Sequence, residues 1–461
     1  MPLNTTIGGR AVDVQALIDS EGLSSYHWLT LVLCFLIVAV DGFDTAVMGY
    51  VAPALVEDWG VEKSSLGPVL SAALFGLVGG ALVAGPIADR IGRKKILVLS
   101  VTFFGVFSLA TAFAQTLNTL VILRFFTGIG LGAEMPNAVT LVSEFVPVRK
   151  RSVLVNAMFC GFPLGSAAGG FLAAWMIPHF GWQSVLVLGG VAPLILTPLL
   201  LILLPESLRF MVLRNYPTEQ IRKVLARAIS VSLGAVDKFI VQEAAEQEGS
   251  AIRTVLSPRY RAGTLMLWLA YFMGLVILFL LSSWMPLLMK EAGLSLQHAS
   301  LLTALFPLGG GIGAIVAGWF MDRFNPNKVV AIGYTLTGVF VYSVGHGIGN
   351  QIMLGVLIFL AGTTMNGSQV SMPSLAANFY PTQGRATGVS WMLGIGRFGG
   401  IAGTLLGAEL LLLKLDFSTI FALMMIPAAI AAVALLVKSL SEGKRVAETQ
   451  RAPVSEVVSN H

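Results

Sequence analysis

Apolar positions in this chain neither alternate nor fall on one helical face. They run on with few or no charges for the length of a membrane crossing, again and again. The runs lie roughly at 29–55, 66–88, 96–114, 118–144, 152–176, 183–204, 263–288, 300–321, 329–348, 351–376, 386–411 and 418–438. An α-helix needs about 20 mostly apolar residues to cross the hydrocarbon layer. The pattern therefore predicts an all-α membrane protein with twelve transmembrane helices. One long polar segment, 205–262, divides the spans six and six. The expected organisation is a segment 1–28, a six-helix bundle 29–204, a linker 205–262, a second six-helix bundle 263–438 and a tail 439–461.

Charge refines this picture. Only 11% of the 461 residues are charged and 56% are hydrophobic, against about 25% charged in a soluble domain. The net charge of +5 is not a nucleic-acid surface, because the basic residues sit in alternate loops. Arg90, Arg93, Lys94, Lys95, Arg149, Lys150, Arg151, the basic residues of 209–261, Arg323, Lys328 and Arg385 share one side; the other holds Lys63, Lys290 and Lys414. The positive-inside rule then places both termini in the cytoplasm. Residues 1–28 contain Asp13, Asp19 and Glu21 and no apolar core of a signal peptide, so they read as a short amphipathic segment before the first span. Cys34 and Cys160 both fall in apolar spans and read as small packing residues.

The two halves repeat. Gly85-Pro-Ile-Ala-Asp89-Arg90 returns as Gly318-Trp-Phe-Met-Asp322-Arg323, and Glu144-Phe-Val-Pro147 through Arg151 returns as Asn378-Phe-Tyr-Pro381 through Arg385. Parallel six-helix repeats with a substrate site near the midplane are a known transporter plan. Glycines recur four apart at Gly76 and Gly80, Gly128 and Gly132, Gly161, Gly165 and Gly169, and Gly399, Gly403 and Gly407. That spacing lets helices approach closely; it serves either static packing or helices that slide during transport.

Chemistry within the spans is concentrated in few residues. Asp41 and Asp44 are the only ionisable acids or bases between Leu31 and Leu55, and a spacing of three puts them on one helical face. Charges at membrane depth usually mark an ion, proton or substrate path. Two acids one turn apart resist joint ionisation, so the pair is a place to hold a proton. Its rival is a structural ion pair with a buried arginine. The aligned positions in the seventh span are Gly274 and Ile277, so the pair is not a packing device common to both halves. Glu134 is a third acid in a span, three residues before Asn137; it is a second proton site, a hydrogen-bond partner of Asn137, or a carboxyl buried in neutral form.

The string Gly85-Pro-Ile-Ala-Asp89-Arg90-Ile-Gly92-Arg93-Lys94-Lys95 matches the loop 2–3 signature of the major facilitator superfamily. The second copy departs from it, with Asn325, Pro326 and Asn327 at the Gly, Arg and basic positions. Within the superfamily, Asp41-Gly-Phe-Asp44-Thr, Met135-Pro-Asn137, Pro205-Glu-Ser-Leu-Arg209-Phe and Tyr380-Pro-Thr-Gln-Gly-Arg385-Ala-Thr-Gly-Val-Ser-Trp391 resemble the aromatic acid:proton symporter family. The last string and Met158-Phe-Cys-Gly-Phe162 are similar to its 4-hydroxybenzoate and protocatechuate transporters. The resemblance spans essentially the whole chain. It implies the major facilitator fold, inward symport of an aromatic carboxylate with protons across a bacterial inner membrane, and a functional role for Asp41 and Asp44.

An aromatic carboxylate gives further residues a task. Arg124 and Arg397 lie at membrane depth, and a guanidinium can bind a carboxylate bidentately and stack on its ring. Each serves substrate or coupling, or else pairs with an internal acid; Arg124 with the first-span carboxylates is the obvious pair. Asn366 and Gln369 are placed to bond a ring hydroxyl, and Trp268, Tyr271, Trp284 and Trp391 offer stacking faces, with Tyr271 and Trp391 favoured because they lie away from span ends. Aromatics facing lipid or filling the core are the competing reading. Asp89, Arg90, Arg93, Glu144, Arg151, Asp322 and Arg323 sit at the cytoplasmic ends and read as a charge gate or as surface ion pairs.

Gly394-Ile-Gly396-Arg-Phe-Gly399 has dinucleotide-motif spacing but lies in a membrane span with no strand before it. No P-loop, HExxH or cysteine–histidine cluster appears in the sequence, so no enzyme, metal or cofactor chemistry is expected, only a proton gradient, a small acid and lipid. Competing functions are transport of another organic acid or a sugar, export of aromatic compounds, suggested by Gly161-Phe-Pro163-Leu-Gly165 and Gly169-Gly170, and a sensor.

Overall fold

The computed structural model describes residues 11–20, 22–229, 238–241, 251–347 and 349–451. Among the described residues, twelve helices are long and apolar enough to cross a membrane. They are α1 (Ser25–Trp59), α2 (Lys63–Ile91), α3 (Arg93–Thr111), α4 (Leu117–Phe145), α5 (Val153–Phe180), α6 (Trp182–Leu203), α7 (Arg261–Glu291), α8 (Leu296–Met321), α9 (Pro326–His346), α10 (Gln351–Phe379), α11 (Thr387–Leu412) and α12 (Phe417–Leu440). The twelve expected spans are all present. Several helices outrun them, α1 by the most at 35 residues, because polar residues at a span end keep helical hydrogen bonding after the apolar run stops.

Turn chemistry sets the ends. α1 closes on Gly60 in the left-handed region, φ 61°, with its N–H on the Val56 carbonyl at 3.0 Å. α9 opens on Asn325, whose side chain accepts from the N–H groups of Asn327 and Lys328, with Pro326 in the first turn. The substitutions that break the second copy of the loop motif therefore rebuild it as a helix cap.

The chain divides into two compact units. One comprises Met1–Glu246 with Leu294–Ala304, the other Gln247–Gly293 with Leu305–His461. Each is held by two seams in which glycine brings backbones together. A Cβ at Gly76 or Gly80 of α2 would strike the main chain of Phe125 or Ile129 in α4, and one at Gly128 or Gly132 would strike Ala73 or Leu77 in return. Gly42 of α1 and Gly165 of α5 meet the main chain of Phe162 and Ala39 in the same way. The second unit repeats the device, with Gly309 and Gly313 of α8 against Gly362 of α10 and its neighbours, and Gly399 and Gly403 of α11 against Phe272 and Val276 of α7. The glycine spacing is thus packing in this structure.

Two short strands, β1 (Ala11–Asp13) and β2 (Lys238–Ile240), pair in parallel. With the short helices Val14–Ser20, Leu208–Leu213 and Thr218–Ala228 they join the end of α4 in one apolar cluster, which includes Val14, Ile18, Phe145, Leu208, Leu225 and Phe239. The N-terminal segment and the first part of the polar stretch 205–262 therefore pack on each other. Thr218–Ala228 is amphipathic, burying Ile221 and Leu225 while its charged residues point away, which explains why a polar sequence hides a packed helix.

Candidate functional site

The first unit encloses an ion pair in apolar surroundings. Asp44 of α1 is 0% exposed and Arg124 of α4 is 2% exposed. Arg124 Nη1 donates to both Asp44 carboxylate oxygens, at 3.1 and 2.9 Å, and Nη2 donates to the Asp44 main-chain carbonyl at 3.2 Å. Ser108 of α3 adds a third hydrogen bond to the carboxylate, at 2.7 Å. A buried pair survives only with such geometry, because desolvating both charges costs several kcal/mol. The Arg124 Nε–H is buried without an acceptor. The guanidinium is thus held on one side and retains an unused donor.

Asp41, one turn earlier on α1, is buried and accepts from Thr45 Oγ1 at 3.1 Å. Glu134 of α4 is fully buried, and neither of its carboxyl oxygens has a hydrogen-bond partner among the described residues. Asn137 is not its partner: its Nδ2 donates to the Ala133 carbonyl at 2.7 Å, one turn back on the same helix. A short amide inside a helix reaches its own backbone more readily than a side chain three residues away, and that corrects one of the readings drawn from spacing.

The second unit holds a neutral counterpart. Tyr334 of α9 is fully buried and donates to Gln369 Oε1 of α10 at 2.7 Å, while Gln369 Nε2 donates to the Tyr271 carbonyl of α7 at 3.4 Å. Gly274, aligned with Asp41, makes the room: a Cβ there would collide with the Gln369 amide and the Tyr334 hydroxyl. Arg397 of α11 is half-buried and acts electrostatically on the Tyr271 phenol. Asn366 is half-buried and bonds back to the Gly362 carbonyl at 3.1 Å. Trp391 is exposed, with its ring 5.8 Å from that of Trp268. Trp284 is no stacking face: it is buried, donates to the Thr404 carbonyl at 2.8 Å and lies against Gly407.

A charged corner forms where α2, α3 and α4 end. Arg93 pairs with Asp89 at 2.7 Å and approaches Glu144 at 3.8 Å. Ser207 Oγ donates to Glu144 and accepts from the Phe210 N–H at 3.0 Å. Glu206 accepts from the Lys94 N–H at 3.1 Å and covers Gly92, whose φ of 107° a side chain would strain. An acid at the first turn of α3 also suits the helix dipole. Outside the spans, Arg214 donates to the Asp89 carbonyl at 2.9 Å, and the Phe210 ring lies between Arg93 and Arg214. Arg90 is exposed and Arg151 half-buried with its Nε unpartnered, so Arg93 is the arginine that ties the corner together. In the second unit Asp322 is exposed, and Arg323 donates to the Trp319 carbonyl at 3.2 Å and stacks 3.8 Å over that ring. Lys438 of α12 is buried there and donates to Asn327 Oδ1 at 2.8 Å.

Ser108, Tyr334, Glu206, Ser207 and Lys438 are the participants that sequence reasoning gave no role. Tyr334 had one available signal: a glycine facing it where the first half has a carboxylate.

Twelve membrane-spanning helices in repeating halves, with buried charge and no catalytic constellation among the described residues, define a membrane transporter. The Major Facilitator Superfamily model matches residues 34–299 and 267–460, and the chain belongs to that superfamily. It is 53% identical to the 4-hydroxybenzoate transporter PcaK of Pseudomonas putida, over 94% of this chain and 97% of that one. It is 50% identical to the gallate transporter of Pseudomonas putida, over 92% of this chain and 94% of that one. Among solved structures, the D-xylose-proton symporter superposes with a TM-score of 0.69 at 17% identity, covering 89% of this chain and 97% of that one, which shows the shared fold.

Proposed function

We propose that this transporter carries aromatic carboxylates such as 4-hydroxybenzoate or protocatechuate inward across a bacterial inner membrane, in symport with protons and by alternating access. Both termini face the cytoplasm in this reading, the proton gradient is the energy source, and neither cofactor nor metal takes part. The observation that carries it is the buried Asp44–Arg124 pair beside two further buried carboxyls, in a chain 53% identical to a 4-hydroxybenzoate transporter.

Opposite charges buried together are a switch. Substrate or proton binding competes for Arg124, and a guanidinium that loses Asp44 must find another anion or be hydrated. Its unused Nε–H suits an incoming carboxylate. Asp41 and Glu134 complete the proton-handling group. In the second half Arg397 is the alternative guanidinium for that carboxylate, Tyr271 and Trp391 offer ring faces, and Asn366 and Gln369 read the ring hydroxyl. The corner built by Asp89, Arg93 and Glu144, with Arg90 and Arg151 beside it and Asp322 and Arg323 in the second half, gates the cytoplasmic side. Release of proton and substrate there completes the cycle.

Uptake of labelled 4-hydroxybenzoate into proteoliposomes, with and without an inside-alkaline gradient, tests the reading. Accumulation only with the gradient supports it. Equal uptake in both conditions removes proton coupling, and a preparation that concentrates gallate alone moves the substrate to the trihydroxy acid of its 50% identical relative.

A further inference from the structure

We infer that Glu134 is the carboxyl that carries the coupled proton, and that it holds that proton in the conformation described here; the inference rests on the symport reading. Three buried acids share the first unit, and their surroundings differ. Asp44 has a counter-ion and three hydrogen bonds on its carboxylate, two from Arg124 Nη1 and one from Ser108. Asp41 has the Thr45 hydroxyl. Glu134 is fully buried with both oxygens lacking a donor. An ionised carboxylate in that setting bears the full cost of a buried unpaired charge, whereas a neutral one forfeits only its hydrogen bonds. The proton therefore stays.

Among the described residues, no cation is hydrogen-bonded to Glu134. The ionisable groups that act on Glu134 are Asp41 and Asp44, both acids. Of the helices packed on α4, α1 carries His27, Glu57 and Asp58 besides Asp41 and Asp44, α2 carries Lys63, Asp89 and Arg90, α3 carries Arg93, Lys94 and Lys95, and α5 carries His179; apart from Asp41 and Asp44, all lie at or near helix ends. Arg124 and Glu144 lie ten residues either side of Glu134 on α4, about 15 Å along the axis each way at 1.5 Å rise per residue. Glu134 thus sits midway between the buried ion pair and the charged corner.

In each cycle Glu134 takes one proton from the outer solvent, crosses with it as a neutral acid, and gives it to water once the site hydrates towards the charged corner. On loading, an O–H bond of a hydronium ion breaks as the carboxyl O–H forms; on release, the carboxyl O–H breaks as one forms on water.

Glu134→Gln keeps the shape of the protonated side chain and removes its titration. The variant is expected to exchange labelled for unlabelled 4-hydroxybenzoate across the proteoliposome membrane at a rate comparable with wild type, while losing accumulation driven by the pH gradient. Infrared spectra of purified protein should lose the carbonyl stretch of one protonated carboxyl in this variant. Gradient-driven accumulation at the wild-type level would overturn the inference. So would an unchanged carbonyl band, or a folded variant that exchanges nothing, since a permanently neutral side chain must still cycle with substrate. Glu134→Asp, a shorter acid, should retain some coupling; a Glu134→Asp variant as uncoupled as Glu134→Gln would also count against it. If wild type itself shows no gradient-driven accumulation, the symport reading fails, and the infrared band still reports whether Glu134 holds a proton.

Discussion

Replacing Arg124 by glutamine leaves Asp44 buried with only the Ser108 donor at 2.7 Å from its earlier set. Replacing Asp44 by asparagine leaves the guanidinium buried with no counter-ion. Removing one partner of a buried pair costs about 3–5 kcal/mol, so each single substitution should destabilise by that amount. The double variant, Asp44→Asn with Arg124→Gln, takes both charges away and leaves two amides able to bond each other. Its cost falls to the imperfectly replaced hydrogen bonds, about 1–3 kcal/mol. The two single costs should therefore exceed the double cost by at least about 3 kcal/mol. Reversible unfolding of the four purified proteins in mixed micelles, titrated with a denaturing detergent, reads the cycle. Uptake by the same preparations reads function, and the double variant should be folded yet inert. Additive costs would refute the argument that each charge stabilises the other. A double variant that transports normally would show that the pair is structural.

Three further outcomes follow from the geometry. Gly76→Ala should destabilise the first unit by about 1–3 kcal/mol, because its Cβ meets the Phe125 carbonyl. Gly79→Ala on the same helix, with nothing within 4 Å, should be neutral or slightly stabilising; equal effects in the same unfolding assay would remove the seam. Tyr334→Phe deprives Gln369 of its donor at 2.7 Å. If Gln369 reads the ring hydroxyl, competition assays should show preference for 4-hydroxybenzoate over benzoate falling about tenfold, a difference of about 1.4 kcal/mol; equal losses for both acids would make Tyr334 structural. Asp416, just outside α12, is held down at about 2 by hydrogen bonds from Thr419 and Ser418. Its ordinary value of 3.8 lies above that, so its contribution is complete above pH 3.8 and fades as pH falls towards 2. Asp416→Ala should raise amide exchange at Thr419 and Ile420 above that window and leave it unchanged at its acid end.

The spans were legible because an apolar run long enough to cross a bilayer has few other fates. The Asp44–Arg124 pair was legible too: an arginine and an acid both buried in apolar spans have few other places to go. Glu134 was visible as an acid in a span, but not as an unpartnered one. Whether it meets Asn137 depends on side-chain reach within one helical turn, which spacing does not settle. Trp284 looked like a ring face because its span is aromatic and apolar; only the Thr404 carbonyl reveals it as a packing residue. Glu206 lies 112 residues from the Lys94 N–H it caps, and no local pattern signals such a meeting. The amphipathic helix Thr218–Ala228 was hidden inside a stretch read as linker, since its apolar face is only a few residues wide.

The glycine seam between α2 and α4 has a mechanical consequence. Two helices that touch backbone to backbone have no flexible side chains between them to absorb movement. A displacement of α4 at Gly128 or Gly132 therefore meets the main chain of α2 at Ala73 and Leu77 directly, as in a rigid shaft. The smallest residues of these two helices therefore make the most direct connection between them, on the stretch of α4 between Arg124 and Glu134.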